Sequence, residues 1–134
     1  MAGIEDLDKL LSNMSPELLK NEYVFCTVPG GTYDNYKDLN PIATFNESEG
    51  LTLVLTIEDA DRSGLQYESS FKCITLTIHS SLEAVGLTAA VSKKLSDHNI
   101  SANIIAAYYH DHLFVPSEAA DKALNLLSDF PKQL

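Results

Sequence analysis

The chain has 134 residues, 45% of them hydrophobic, and a formal net charge of −10. That length and composition can bury a core and exclude a disordered chain. The acidic balance, with only nine Lys and Arg residues, excludes the clustered basic surfaces that nucleic acid and anionic lipid require.

The first segment, "IEDLDKLLSNM", places Ile4, Leu7, Leu10, Leu11 and Met14 on one stripe with acids in the first turn, which predicts an amphipathic helix. Acidic residues stand where a signal peptide would be basic, and no run reaches the roughly 18 apolar residues of a membrane span. A cytoplasmic protein is expected. In "SPELL", Ser15 as a cap and Pro16 at a first helical position predict a second short helical turn. "EYVFCTV" reads as a strand, closed by the turn-rich loop "PGGTYDNYKDLNP". The two glycines after Pro29 lack the Lys-Ser/Thr ending of a phosphate loop and read as a turn.

"PIATFNESEGLTLVLTIE" predicts a hairpin turning at Ser48, Glu49 and Gly50. In its second strand Leu51, Leu53, Leu55 and Ile57 face the core and alternate with Thr52, Val54 and Thr56. "EDADRSG" predicts a brief helix stopped by Gly64, and a long strand follows from about Tyr67 to Ile78. The thiols of Cys26 and Cys73 lie inside strand-like runs without a Cys-x-x-Cys partner and read as buried and free.

After "SSLEAVG", the stretch "LTAAVSKKLSDHN" predicts a helix with Leu87, Ala90, Val91, Lys94 and Leu95 on one face and Asn99 as its stop. "ISANIIAAYY" is then a strand, "HDH" its turn and "LFV" the returning strand. A last helix opens at Pro116 and Ser117, with Ala120, Ala123, Leu124, Leu127 and Phe130 inward. Strand, helix, strand, strand, helix is the split βαβ order with one strand missing, which must come from elsewhere in the chain or from a second subunit. The first half echoes the second, because "ATFNESEGLTLVLTIEDADRSG" and "IAAYYHDHLFVPSEAADKALN" both run strand, polar turn, strand, helix. A duplicated unit accounts for this most simply.

"HSSLEAVGLTAAVS" together with "AAYYHDHLFVP" resembles the second half of small stand-alone tandem ACT-domain proteins, and "EYVFCTVPGG" with "PIATFNESEGLTLVL" resembles their first half. In such domains a strand ends in a loop of the D-x-P-G-L-L type that opens a helix. Here the loop is His79 to Leu87, with Glu83 and Val85 or their neighbours in place of the usual Asp and Pro. The resemblance implies an α+β, ferredoxin-like fold of two βαββαβ ACT-like units with mainly antiparallel sheets, divided here into residues 1–68 and 69–134. It also implies a homodimer, a regulatory role, and an amino acid or related small metabolite bound at domain interfaces.

The candidate ligand site is Ser80, Ser81, Glu83, Val85, Gly86, Leu87 and Thr88, with Asn103 and Ile104 from the neighbouring strand. A glycine that lets backbone approach closely, followed by free N–H groups at a helix start, suits a carboxylate. Glu83 suits an ammonium group. Without a ligand, Gly86 only lets the helix pack on the sheet and the serines only cap it. Asn103 is an amide inside a strand that reads as buried on both faces, so it must be hydrogen-bonded to a ligand or to the loop. His110 and His112 would share a face of a continued strand. No third ligand, nucleophile or orienting partner accompanies them, so neither a metal, a cofactor nor catalysis is expected. The alternative to a sensor is an interaction module in which the apolar strand "NIIAAYY" and open sheet edges build a dimer.

Overall fold

In a computed structural model, residues 6–77 and 86–130 are described. The elements are α1 (Leu7–Asn13), β1 (Pro16–Val28), α2 (Tyr33–Tyr36), a 3-10 turn (Lys37–Leu39), β2 (Ala43–Glu47), β3 (Gly50–Thr56) and α3 (Ile57–Ser63). They continue with β4 (Phe71–Leu76), α4 (Leu87–Ser96), β5 (Asn103–Ala106), β6 (Asp111–Pro116), a 3-10 turn (Ser117–Ala119) and α5 (Ala120–Leu127). Six strands form an antiparallel sheet with helices, the ferredoxin-like α+β class expected.

Two compact units divide the chain, one Asn21–Phe71 and the other Met1–Lys20 with Lys72–Leu134. Within Asn21–Phe71 the strands run β2-β3-β1. Val24, Cys26, Leu51, Leu53, Leu55 and Ala60 form its buried core. The Ser48–Glu49 turn is where the sequence places it, because Gly50 takes φ 155° and a side chain there would meet the Val28 carbonyl at 2.9 Å. Two expectations fail here. Ile57 starts α3 instead of extending β3, since the Thr56 hydroxyl accepts the Asp59 N–H at 3.2 Å and caps the helix. Val54 is buried and not on an open Thr/Val face, because β3 is flanked on both sides, with Phe25 and Ala43 opposite Val54. The turn-rich loop after β1 contains the short helix α2.

In the other unit the order is β1-β4-β6-β5. The strand missing from the split βαβ order is the beginning of β1: the Thr77 N–H donates to the Ser15 carbonyl at 3.0 Å. The second helical turn expected at "SPELL" is therefore strand. Pro16 is the first residue of β1, a position a strand tolerates without the missing N–H, and Leu18 packs on the core. α1 forms as expected, capped by the Asp6 carboxylate, which accepts the Lys9 N–H at 3.1 Å. Leu10 and Met14 join Ile74, Leu76, Leu87, Val91, Leu95, Leu113, Val115, Ala120, Ala123 and Leu127 in one core. Lys94 lies 4.3 Å from the centre of the Phe130 ring and donates to the Asp129 carbonyl, tying α4 to the end of the described chain.

β4 is shorter than expected. It begins at Phe71, leaving Tyr67 outside any strand, and Ile78 lies outside the described residues. Both of its faces are buried: Cys73, Ile74, Thr75 and Leu76 are each less than a tenth exposed.

Candidate functional site

β4 and β6 meet end to start. The Thr75 hydroxyl, one residue from the end of β4, lies 2.9 Å from Nδ1 of His112, one residue into β6. The segment that carries the chain from β4 to α4 leaves from this end of the sheet. Of the candidate residues, Ser80, Ser81, Glu83 and Val85 fall on that segment and lie outside the described residues.

Gly86 is described. It has φ 97°, a left-handed conformation that side chains disfavour, and it precedes α4 as an N-cap without a side-chain cap bond. A Cβ there would lie 3.1 Å from Cδ2 of Leu7, so the start of α1 covers the glycine. Leu87 is buried in the core, whereas Thr88, one residue on, is exposed.

Asn103 departs from expectation. It is exposed, because β5 ends the strand order and has β6 on one side only. No buried amide has to be satisfied there. Ile104 is half-buried against the core and pairs with Leu113.

The "HDH" turn is also displaced. The hairpin closes through the Ala107 N–H and the His110 carbonyl, 3.0 Å apart, so Tyr108 and Tyr109 form its tip and Asp111 and His112 are strand residues. The tip tyrosines are 70% and 61% exposed and stack edge to face, with ring centres 5.0 Å apart. The pairing sets this: Ile104 opposite Leu113 and Ala106 opposite Asp111 leave four residues for the loop. His110 therefore belongs to the turn, and the shared strand face that a metal pair would use does not form. Among the described residues no group of three or more His, Cys, Asp or Glu side chains converges.

Strand alternation separates the polar residues of β6. His112 lies on the side of Thr75. Asp111 lies on the side of Leu113 and Val115, which are fully buried under the helices. Burial pushes the Asp111 carboxyl up from the usual carboxylate range, against the pull of His112 and His110. Burial, and then the charge of His110, holds His112 below the usual imidazole range, with Asp111 opposing. Ile105 stands opposite His112 across the ladder.

The folded state thus takes up less proton at His112 than the unfolded chain. The resulting penalty is absent above pH about 6.5 and grows as pH falls below it, toward the depressed folded value. Wild-type protein should lose melting temperature on acidification through this window more steeply than His112→Asn. Parallel curves for the two proteins between pH 7.5 and 5 would show that His112 does not titrate this way.

The two thiols are free and buried. Burial raises both, and Cys73 is pushed up to about 11, with a hydrogen bond to Thr75 relieving part of the effect. Neither is a thiolate at neutral pH, so neither is an activated nucleophile.

Two models described as ACT domain match the chain, one over residues 2–72 and one over residues 68–129. No curated protein matches. Among solved structures, a Vibrio cholerae protein described as of unknown function and a possible transport protein is 56% identical, with a TM-score of 0.85 over 96% of this chain and 98% of that one. An Agrobacterium tumefaciens protein is 17% identical, with a TM-score of 0.73 over 87% of each chain. The ligand-free regulatory subunit of aspartate kinase from Thermus thermophilus is 9% identical, with a TM-score of 0.58 over 84% of this chain and 94% of that one. The last two share the fold. Among the described residues no helix is long and apolar enough to cross a membrane.

Proposed function

Because the chain belongs to the ACT-domain family, a family of regulatory small-molecule-binding domains, we propose that it is a non-catalytic cytoplasmic sensor of an amino acid or a related small metabolite. The observation that carries this reading is Gly86: a left-handed residue without a side-chain cap opens α4. Among the described residues the first-turn N–H groups of α4 have no side-chain cap, which supports their availability to a carboxylate. The ligand carboxylate sits on the N–H groups near Gly86, Leu87 and Thr88. Ser80, Ser81, Glu83 and Val85 supply the approach from the preceding segment, with Glu83 meeting the ammonium group. Ile104 contributes an apolar wall from β5, and Asn103 reaches the ligand from the same strand only if its exposed amide is covered by a second subunit. Occupancy biases the association of a homodimer, and the regulatory output is that coupling.

The likeness in fold to a regulatory subunit of aspartate kinase is in keeping with the sensor reading. A thermal-shift panel of the twenty amino acids tests it. A ligand at 100 times its Kd adds about 2.7 kcal/mol to stability, which at this size raises the melting temperature by several degrees. A panel without any shift overturns the sensor reading.

One observation favours a second reading, an interaction module without a small ligand. β5 ends the strand order, and the loop beside it exposes Tyr108 and Tyr109. Light scattering separates the two readings when combined with the panel: a silent panel with a dimer supports the module, and a monomer removes it.

A further inference from the structure

On the side of β4 and β6 turned away from the helices, three polar groups stand in a row. Ile74, Leu76, Leu113 and Val115 enter the helix-covered core. Strand alternation therefore puts Cys73, Thr75, His112 and Phe114 together on the opposite side. Cys73 and Phe114 are fully buried there and Thr75 nearly so, with His112 half-buried. The Thr75 hydroxyl touches two of them: it lies 2.9 Å from Nδ1 of His112 and is hydrogen-bonded to the Cys73 thiol. From β5, Ile105 pairs with His112 and Asn103 with Phe114, and neither brings a charge. Among the described residues the charges that act on the ring are those of His110 and Asp111, its neighbours along the chain.

A hydroxyl has one proton to donate, and a buried one needs an acceptor. With His112 neutral, the Thr75 O–H donates to Nδ1, a strong acceptor, and the Cys73 S–H donates to the Thr75 oxygen. The ring proton then sits on Nε2. The reverse chain has Nδ1–H donating to Thr75 and leaves the hydroxyl to donate to sulfur, a weak acceptor. Protonation removes the choice, because both nitrogens of an imidazolium donate. The hydroxyl is then turned to sulfur, and a charge stands in a half-buried site whose partners on β4 and β5 are neutral. Burial opposes that charge first, His110 adds to the opposition, and Asp111 works against both.

We infer that β4 and β6 are joined by a proton-sensitive latch. Thr75 is its positioning residue and, with Cys73 behind it, holds His112 as the neutral tautomer with its proton on Nε2. Uptake of a proton by the ring frees the start of β6. The release is local: His112 is one residue into β6, just after the hairpin loop, whereas Leu113 and Val115 beyond it are fully buried and stay seated. Acidification thus opens the end of the β5–β6 hairpin while the core persists, and the latch needs no ligand. An open state with an ordinary imidazole gains up to about 30-fold at pH 5 over a closed state that stays neutral.

Nitrogen-15 NMR of the histidine rings reads tautomer and titration together, in wild type, Thr75→Ser and Thr75→Val. Amide exchange is followed from pH 7.5 to 5 in wild type and His112→Asn. At pH 7.5 wild-type His112 should be neutral with its proton on Nε2, and it should titrate below about 6.5. Thr75→Ser should keep that signature, and Thr75→Val should lose it as the Nδ1–H form grows. Over the same pH range the Ala107 N–H that closes the hairpin should lose protection by about 10-fold or more in wild type, corrected for intrinsic exchange, and stay level in His112→Asn. The amides of Leu113 to Val115 should hold in both proteins. A wild-type ring protonated on Nδ1 overturns the latch, as does a titration at or above 6.5. Protection lost evenly through Leu113 and Val115 overturns it too, since the release is then not local. A folded Thr75→Val protein with an unchanged tautomer removes the role of Thr75. If Thr75→Val does not fold, the tautomer of wild type and of Thr75→Ser still decides.

Discussion

Gly86→Val should lower the melting temperature sharply, independently of any ligand. At φ 97° a β-branched residue is forced into left-handed backbone, at about 1–2 kcal/mol. Its Cβ would also stand 3.1 Å from Cδ2 of Leu7, and overpacking of this kind adds about 1–3 kcal/mol. Together these are a large share of the 5–15 kcal/mol by which domains are ordinarily stable. The two contributions separate in a cycle with Leu7→Ala. Removing the leucine tip should recover the crowding part and leave the backbone part, so the double variant is more stable than the sum of the singles implies. A Gly86→Val protein that melts with wild type would mean that this backbone relaxes freely into an ordinary conformation. It follows that Gly86→Val cannot by itself test ligand binding, since a loss of affinity would be inseparable from a damaged helix start.

What the sequence made legible and what it concealed divide along local and non-local physics. The β2–β3 turn, the stop of α3 at Gly64 and the stop of α4 at Asn99 are each written in a residue that takes positive φ, and each was readable. The helices α1, α4 and α5 carry their apolar periodicity within a single element. The start of β1 does not. Ser15-Pro16 looks like a helix opening by every local rule, and only the bond from Thr77 to Ser15, 62 residues away in the chain, makes it strand. The hairpin tip misled for a related reason. Tyr108 and Tyr109 have high strand propensity and His110-Asp111-His112 are polar, yet register is decided by seating Leu113 and Val115 in the core. That register turns the tyrosines out and draws Asp111 and His112 into the sheet. Asn103 looked buried because its neighbours are apolar. An edge strand can be apolar and still expose an amide, and position in the strand order is a global property. Gly86 was visible as a candidate from its place before a helix. Asp111 was visible too, but as part of a polar turn, and no local signal distinguishes a turn aspartate from one seated at the end of a core.

The segment that leads into this non-local strand carries an equally large expected loss of stability. Leu10 on α1 is fully buried among Ile74, Val91, Leu95 and the other side chains of the core formed with the second half of the chain. Leu10→Ala should cost about 2–5 kcal/mol, as removal of a fully buried leucine does where surroundings cannot collapse into the space. Met14 and Leu18 lie on the same stretch and support the same core. A fragment of residues 69–134 therefore lacks the α1 face of its core and the strand that pairs beside Thr77, although the ACT-domain match at 68–129 lies almost wholly inside it. It should show no cooperative thermal transition alone, and a peptide of residues 6–20 added in trans should restore one. The peptide must supply Leu10, Met14 and Leu18, so its Leu10→Ala version should restore it poorly. A cooperative melt from the unaided fragment would show that the N-terminal segment decorates a unit already complete. Failure of both peptides, with a large loss in full-length Leu10→Ala, would instead mean that the segment folds with the unit only when it is covalently delivered, because association must then overcome the entropy of bringing two chains together.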